Sequence, residues 1–381
     1  MRWLKKRQEP RAAAAQLREN SRHPFGLLRD YGPLSRGEIR LYRAVREAVP
    51  VVDAAVYKLI RMTGGVRAAC GDRQAEAELN EFLRTVPAGR GQAGINAFLD
   101  CYLDALLTCG RAIGEIVPAA GNRDIAALVC GRVEDIEIRE GDSPLDFTIC
   151  GPGETGQMEA LPYQNLLLFT PLNPETGNPC GVSLLRSLPF MADILMKIYH
   201  TVGVNWERCG NMRFAVTCRN SEGDAAQRGR MLAGEWSRAM EDTRNGSVRD
   251  FVAVGDVDIK VIGADAPLLD SQIPVRQILE QIVSKTGIPP FMLGLSWNST
   301  ERMSAQQADL LTTEITAIRR TLTPAVERVC RLWLRMHGYA CGFEAVWDDI
   351  NLQDQVEEAR AALYREQARK LKLENDRAEA L

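Results

Sequence analysis

Between Val275 and His337 a short amphipathic helix, a double-proline break and a very long helix follow one another with almost no slack. Val275, Ile278, Leu279, Ile282 and Val283 recur at i, i+3, i+4, i+7 and i+8, which is one stripe of a helix. Gly287 suits a left-handed cap, and Pro289-Pro290 then remove two backbone donors and the freedom to continue the helix. After the apolar bridge Phe291–Leu295 comes a polar loop, Ser296–Glu301, in which Asn298 and Glu301 have the spacing of an N-cap and its third-position partner. A new helix is predicted from about Thr300 to His337, its stripe formed by Met303, Leu310, Leu311, Ile315, Ile318, Leu322, Val326, Val329 and Trp333. At 1.5 Å per residue it reaches about 55 Å, more than a small domain needs. Pro324 lies inside it, removes one hydrogen bond and crowds the carbonyl of Arg320, so the rod is expected to bend there. A bent rod of that length belongs in an assembly.

The rest of the 381 residues is long enough for two or three structural units, and 45% hydrophobic with 25% charged residues is ordinary for a globular chain. No window of 18 uninterrupted apolar residues exists, so no membrane partner is expected. Met1–Arg7 is basic but lacks the apolar core of a secretory signal. Ten cysteines include no C-x-x-C pair, and the three histidines stand apart from them, so reduced, mostly buried thiols are expected rather than disulfides or a zinc site. The net charge of −3 argues against a protein that grips nucleic acid along a broad basic face. It allows a lining past which a polyanion slides.

Residues 1–34 read as a basic arm. A helical pattern follows, with Ile39, Leu41, Tyr42, Val45 and Val49 before Pro50, then Val52–Ile60 before Gly64-Gly65, and a second helical pair over about 73–86 and 94–109. Short strands are predicted at Ala112–Val117, Ile125–Val129, Ile136–Ile138, Phe147–Cys150 and Leu166–Phe169. A turn-rich connector, Pro171–Ser183, leads into a helix from about Ser183 to Glu207 with Ile194, Leu195, Ile198, Tyr199, Val202 and Trp206 on one side. Residues 211–273 carry their own pattern: strands at Met212–Cys218, Val248–Val254 and Val257–Ile262, and a helix over Asp224–Glu241 bearing Leu232 and Trp236. Eight Arg or Lys face ten Asp or Glu in this segment, which favours surface docking over tight DNA binding. Gly342–Trp347 reads as a returning strand, Asp348–Leu352 as the cap of a last, heavily charged helix over roughly 353–378.

The run Ile282-Val283-Ser284-Lys285-Thr286-Gly287-Ile288-Pro289-Pro290-Phe291-Met292-Leu293-Gly294, then a Ser/Asn/Thr loop and a long helix, resembles the portal proteins of tailed bacteriophages. The resemblance implies an α+β portal fold: a mixed α/β wing (35–182), a first stem helix (183–210), a small α/β clip (211–273), a second stem helix (274–290), a tunnel-loop region (291–302), a long kinked helix with the wing return (303–352), and a short C-terminal helix or crown (353–381). It further implies a ring, usually of twelve subunits in that family, at one capsid vertex of a virion assembled in the bacterial cytoplasm. Double-stranded DNA would pass through it. The terminase large subunit, head-completion or tail-adaptor proteins, and major capsid and scaffold proteins would be its partners. By the same resemblance Ser296, Trp297, Asn298, Ser299, Thr300, Glu301 and Arg302 would face the channel, Arg213, Phe214, Trp236 and Phe251 would serve the clip in docking and oligomerisation, Ile194, Ile198, Val202, Ile278 and Ile282 would belong to the stem, and Pro324 would set the kink.

Enzymatic chemistry finds little support in the residues. Gly151-Pro152-Gly153-Glu154-Thr155-Gly156-Gln157 lacks the lysine of a phosphate loop and reads as a hairpin turn. Asp348-Asp349 and Asp256-x-Asp258 lack a histidine or lysine partner, no G-x-S-x-G occurs, and His200 reads as one helix face rather than a base. No catalytic residue, cofactor or metal is assigned. A non-conducting connector or capsid protein, or an enzyme acting on nucleic acid, stays open as an alternative, and Trp297 as a packing plug rather than a DNA contact.

Overall fold

The computed structural model describes residues 36–141, 146–153, 155–175, 180–210, 213–218, 257–262, 271–295 and 301–350, together with Arg230, Gly234, Gln367, Arg369 and Lys370 as helical positions. It divides into two compact units, Met1–Ala192 with Gln281–Leu381, and Asp193–Glu280.

In the first unit, α1 (Arg36–Ala48) and α2 (Pro50–Thr63) are separated by Val49, with Pro50 at the start of α2 where its missing N–H is harmless. Ile39, Tyr42, Val45 and Val49 are buried, whereas Leu41, expected with them, lies beside the stripe and is 48% exposed. α3 (Arg73–Thr85) is capped by Asp72, whose carboxylate accepts from Gln74 N at 2.8 Å and Ala75 N at 3.3 Å. α4 (Ile95–Cys109) buries Phe98, Tyr102, Leu103, Leu106 and Leu107. Its exposed face is narrow, running through Asn96, Asp100 and Cys101, which explains why its residues are apolar well beyond a single stripe.

Strands β2 (Arg111–Pro118), β3 (Ile125–Cys130) and β7 (Leu167–Pro171) form an antiparallel sheet in the order β3-β2-β7. Gly114 of β2 is required by α4, because a Cβ there would press into the Phe98 ring. A second sheet joins β4 (Glu137–Glu140), β5 (Phe147–Pro152) and β6 (Met158–Ala160). The glycine-rich run between β5 and β6 is the expected hairpin turn, with Gly153 N donating to Gln157 O at 2.8 Å and Gly156 at φ 77°. β1 (Val66–Cys70) pairs antiparallel with β10 (Phe343–Trp347) in the register Val66↔Trp347 to Cys70↔Phe343. β10 was expected as a returning strand, but β1 and β6 were not: one is five residues with two alanines, the other three residues held only by β5.

The long helix of this unit, α7 (Glu301–Met336, after α5 and α6 below), is 36 residues and contains Pro324. Leu311, Ile315, Leu322, Val326, Val329 and Trp333 are buried along it. Two members of the expected stripe differ: Met303 is 43% and Leu310 69% exposed, since both lie about a quarter turn from the buried line.

α5 (Leu188–Gly210) starts at Leu188, not Ser183. Residues 180–187 are instead fastened to the end of α4. Leu172 N donates to Gly110 O at 2.8 Å and Leu184 N to Leu107 O at 3.1 Å, while the Ser183 hydroxyl donates to Thr108 O at 2.7 Å and accepts from Leu185 N at 3.0 Å. Gly110 and Gly181, at φ 76° and 72°, allow this approach, for a Cβ on either would overlap the other strand of backbone.

The second unit holds most of α5, the antiparallel pair β8 (Arg213–Cys218) and β9 (Val257–Ile262), and the first part of α6 (Gln272–Thr286). The expected strand Val248–Val254, the arm 1–34 and most of the helices Asp224–Glu241 and 353–378 lie outside the described residues; of the latter, Gln367, Arg369 and Lys370 are helical. α6 ends before Gly287 at φ 69°, and one 3-10 turn, Pro290–Leu293, closes at Gly294 at φ 74°. The helix is therefore bounded two residues earlier and four earlier than the 274–290 assigned to the second stem.

Candidate functional site

α7 is tied to the rest of the first unit by side-chain bonds and ring contacts from Arg319 onward. Arg319 Nε donates to Thr63 O at 2.8 Å, filling an orphan carbonyl at the end of α2, and its guanidinium lies 5.5 Å from the Trp347 ring centroid. Burial pulls the Arg319 pKa down, against the opposing pull of Asp348 and Asp349. Trp347 Nε1 donates to Thr323 Oγ1 at 3.1 Å, and Arg328 donates to Asn165 O at 2.7 Å. Farther along, Trp333 stacks with Phe82 at 5.6 Å and His337 at 3.9 Å. Asp348 Oδ2 accepts from Gly65 N at 2.9 Å, and its own N–H returns to Gly65 O at 3.0 Å; the helix it was expected to cap lies beyond residue 350, outside the continuously described residues.

At the other end, Glu301 and Arg302 are the first residues of α7, described by backbone alone, and Ser296, Trp297, Asn298, Ser299 and Thr300 lie outside the described residues. Before them, the described chain closes at Gly294 after Phe291, which is 45% exposed. Phe291, Met303 and Leu310 are exposed apolar side chains in this part of the chain.

α5 carries a similar change along its length. Leu188, Ala192, Leu195, Tyr199, Val202 and Trp206 follow one another at spacings of three or four, on one face. Leu188, Ala192 and Leu195 are 5% exposed or less, yet Tyr199 is 49% and Trp206 63% exposed. Ile194, Ile198 and Val202 are half-buried, and on α6 Ile278 and Ile282 are buried while Ile273 is 63% exposed. Arg213 and Phe214 pair with Ile262 and Val261 through the backbone of β8; Trp236 and Phe251 lie outside the described residues.

One polar centre escaped sequence reasoning. Arg46, buried on α1, donates to Asp53 at 2.8 Å, to Asp104 at 2.6 Å and to Thr108 Oγ1 at 2.7 Å, and lies 5.2 Å from the Tyr57 ring centroid. Burial depresses its pKa, but the bonds to Asp104 and Asp53 outweigh it and hold the guanidinium charged. It borders an open groove of about 710 Å³ that Arg43, Tyr57, Asp100 and Cys101 also line. The one available signal was an arginine and an aspartate seven residues apart across a helix break. Among the described residues no group of three His, Cys, Asp or Glu could hold a metal ion, and no helix is long and apolar enough to cross a membrane.

No protein-family model and no curated protein matches the sequence. Solved structures do. A chain in the neck of an empty gene transfer agent particle, computed with C6 symmetry, aligns at TM-score 0.66 and 16% identity over 88% of this chain and 90% of that one. A chain in the neck of the native particle, computed with C12 symmetry, aligns at TM-score 0.66 and 14% identity over 90% and 93%. A HK97-family phage portal protein from Corynebacterium diphtheriae aligns at TM-score 0.43 and 12% identity over 79% and 92%, too distant to add weight. The chain has the mixed α+β fold of a subunit from the neck of these virion-like particles, running through nine-tenths of its length.

Proposed function

We propose that the chain is a portal subunit: a structural, non-enzymatic protein that closes with copies of itself into a ring at one vertex of a phage-type capsid and lets double-stranded DNA pass. The observation that carries this reading is the fold shared with a neck chain of particles treated with sixfold and twelvefold symmetry. The exposed apolar residues on α5 and at the start of α7 support it, because a ring buries such faces between copies. The tunnel loop would be residues 296–302, with contacts to duplex DNA mainly at phosphates. Residues 211–273 would form the clip that docks the terminase and later the head-completion proteins, with ATP hydrolysis left to the terminase.

Electron microscopy of the purified protein with native mass tests it. Rings with a central hole and a mass near a dozen 42.3 kDa subunits are expected. A stable dimer without a pore overturns the reading in favour of a non-conducting connector, and metal-dependent turnover of DNA overturns it in favour of an enzyme. Removing residues 296–302 is expected to impair DNA packaging while rings still assemble; loss of folding would make Trp297 a core plug.

A further inference from the structure

Cys101 and Cys130 hold a geometry that the proposed function does not use. Cys101 lies on α4 and is exposed, opening onto the groove bounded by Tyr57, Gln92, Asp100 and Asp104. Cys130 ends β3, and its Sγ sits 3.6 Å from the carbonyl oxygen of Phe98. Phe98 is one helical turn before Cys101, and a helical side chain lies over the turn that precedes it, so the two sulfurs converge on the same spot. The Cys130 thiol is accordingly within hydrogen-bond reach of Cys101.

The pair is asymmetric in access, for Cys101 is exposed and Cys130 partly buried. Hydrogen bonding from Cys130 holds the Cys101 thiol down to about 7, against burial and the charges of Asp104 and Asp100. The same bond, with burial, pushes Cys130 far up. Elsewhere burial pushes Cys70 and Cys109 up to about 11 and Cys330 up to about 12, leaving little thiolate at neutral pH.

We propose that Cys101 and Cys130 are a nucleophile and its resolving thiol, and that a neutral or cationic low-molecular-weight disulfide converts them into an internal disulfide tying α4 to β3. The Cys101 thiolate attacks one sulfur of the reagent, forming a mixed disulfide and releasing one reagent thiolate. The Cys130 sulfur, giving its proton to that thiolate, then attacks the Cys101 sulfur and expels the second half of the reagent. Two protein thiols and one small disulfide become one protein disulfide and two small thiols. Asp100 and Asp104 beside Cys101 disfavour an anionic reagent. In a particle assembled in a reducing cytoplasm the bond would close after release; that consequence rests on the proposed function, and the chemistry does not.

The test treats the whole chain with cystamine at neutral pH and reads intact mass and a non-reducing peptide map. Wild type is expected to become about 2 Da lighter, with Cys101 and Cys130 joined. Cys130→Ser is expected to stop at a single cysteamine adduct on Cys101, about 75 Da heavier. Cys101→Ser is expected to leave Cys130 unmodified. A wild-type chain that keeps the Cys101 adduct, or joins Cys101 to another cysteine, overturns the proposal, as does adduct formation at Cys130 in Cys101→Ser. The wild-type map decides the matter even where a serine variant fails to fold.

Discussion

Replacing Arg46 with methionine separates what a buried guanidinium holds from what its neighbours can recover alone. The side chain is 10% exposed and bonds Asp53, Asp104 and Thr108. Asp53 and Asp104 are 37% and 43% exposed, so water takes over much of their hydration and each lost ion pair costs at most about 1 kcal/mol. Thr108 is 2% exposed, and its orphaned hydroxyl adds about 1–3 kcal/mol. Methionine keeps the packing of the stem but loses the attraction to the Tyr57 ring, about 0.5–1 kcal/mol. The sum is about 3 kcal/mol, which lowers a urea midpoint by about 1 M at a slope of about 3 kcal/mol/M. The assay is urea unfolding of the chain followed by far-UV circular dichroism, with hydrogen exchange at α1 and α4 to localise the loss. Adding Thr108→Val to Arg46→Met is expected to return about 1–2 kcal/mol, because no polar atom then remains orphaned at that spot. A cost below about 1 kcal/mol for Arg46→Met, or strict additivity of the two changes, refutes the accounting.

Gly181→Ala would force a Cβ into Gly110 O and the backbone of Leu172, so soluble expression is expected to collapse or the thermal midpoint to fall by roughly 10 °C; an unchanged melting curve would contradict the clash. Tyr102→Phe strips the hydroxyl that donates to Thr170 Oγ1 at 2.8 Å, and a loss of about 1–2 kcal/mol is expected in the same urea assay. Alkylation of Cys101 by iodoacetamide, followed by peptide mass, is expected to rise through a midpoint of about 7, because the reactive thiolate is lost as pH falls through that value. Cys130→Ala removes the bond that lowers it, so the midpoint should move upward, and an unmoved midpoint would show that Cys130 does not hold it down.

The order of helices and strands was legible because each element announces itself locally. Pro50 at the start of α2, Gly64 after its end, Gly287 after α6 and the stripe of α7 are signals within one or two turns of chain. What failed depended on partners far away. β1 is recognisable only once β10, at the other end of the chain, stands beside it. Ser183 looked like a helix start because Ser commonly caps one; it is instead consumed by the end of α4, and the helix waits for Leu188. Arg46 and the Cys101–Cys130 pair were invisible for the same reason. Of the assigned site residues, Ile278 and Ile282 are buried, while their role in a ring, like that of the loop and clip residues, is carried by the proposal.

The two misjudged members of the long stripe carry the most functional meaning. Met303 and Leu310 have helical spacing with each other, seven residues apart, but stand off the line that continues through Leu311, Ile315 and Leu322. A sequence pattern reports that a face is to be covered without saying by which chain covers it, and a monomeric reading assigns every apolar residue to its own core. The later part of α7 has its cover within the first unit, from Thr63, Asn165, Phe82 and Trp347. Along residues 312–324, partly inside that covered stretch, the hydroxyls of Thr312, Thr313, Thr316, Thr321 and Thr323 each bond the carbonyl four residues back, and Pro324 supplies no amide at all. Threonine back-bonding and proline both weaken the straight ladder of a helix, so a bend in α7 costs least along residues 312–324.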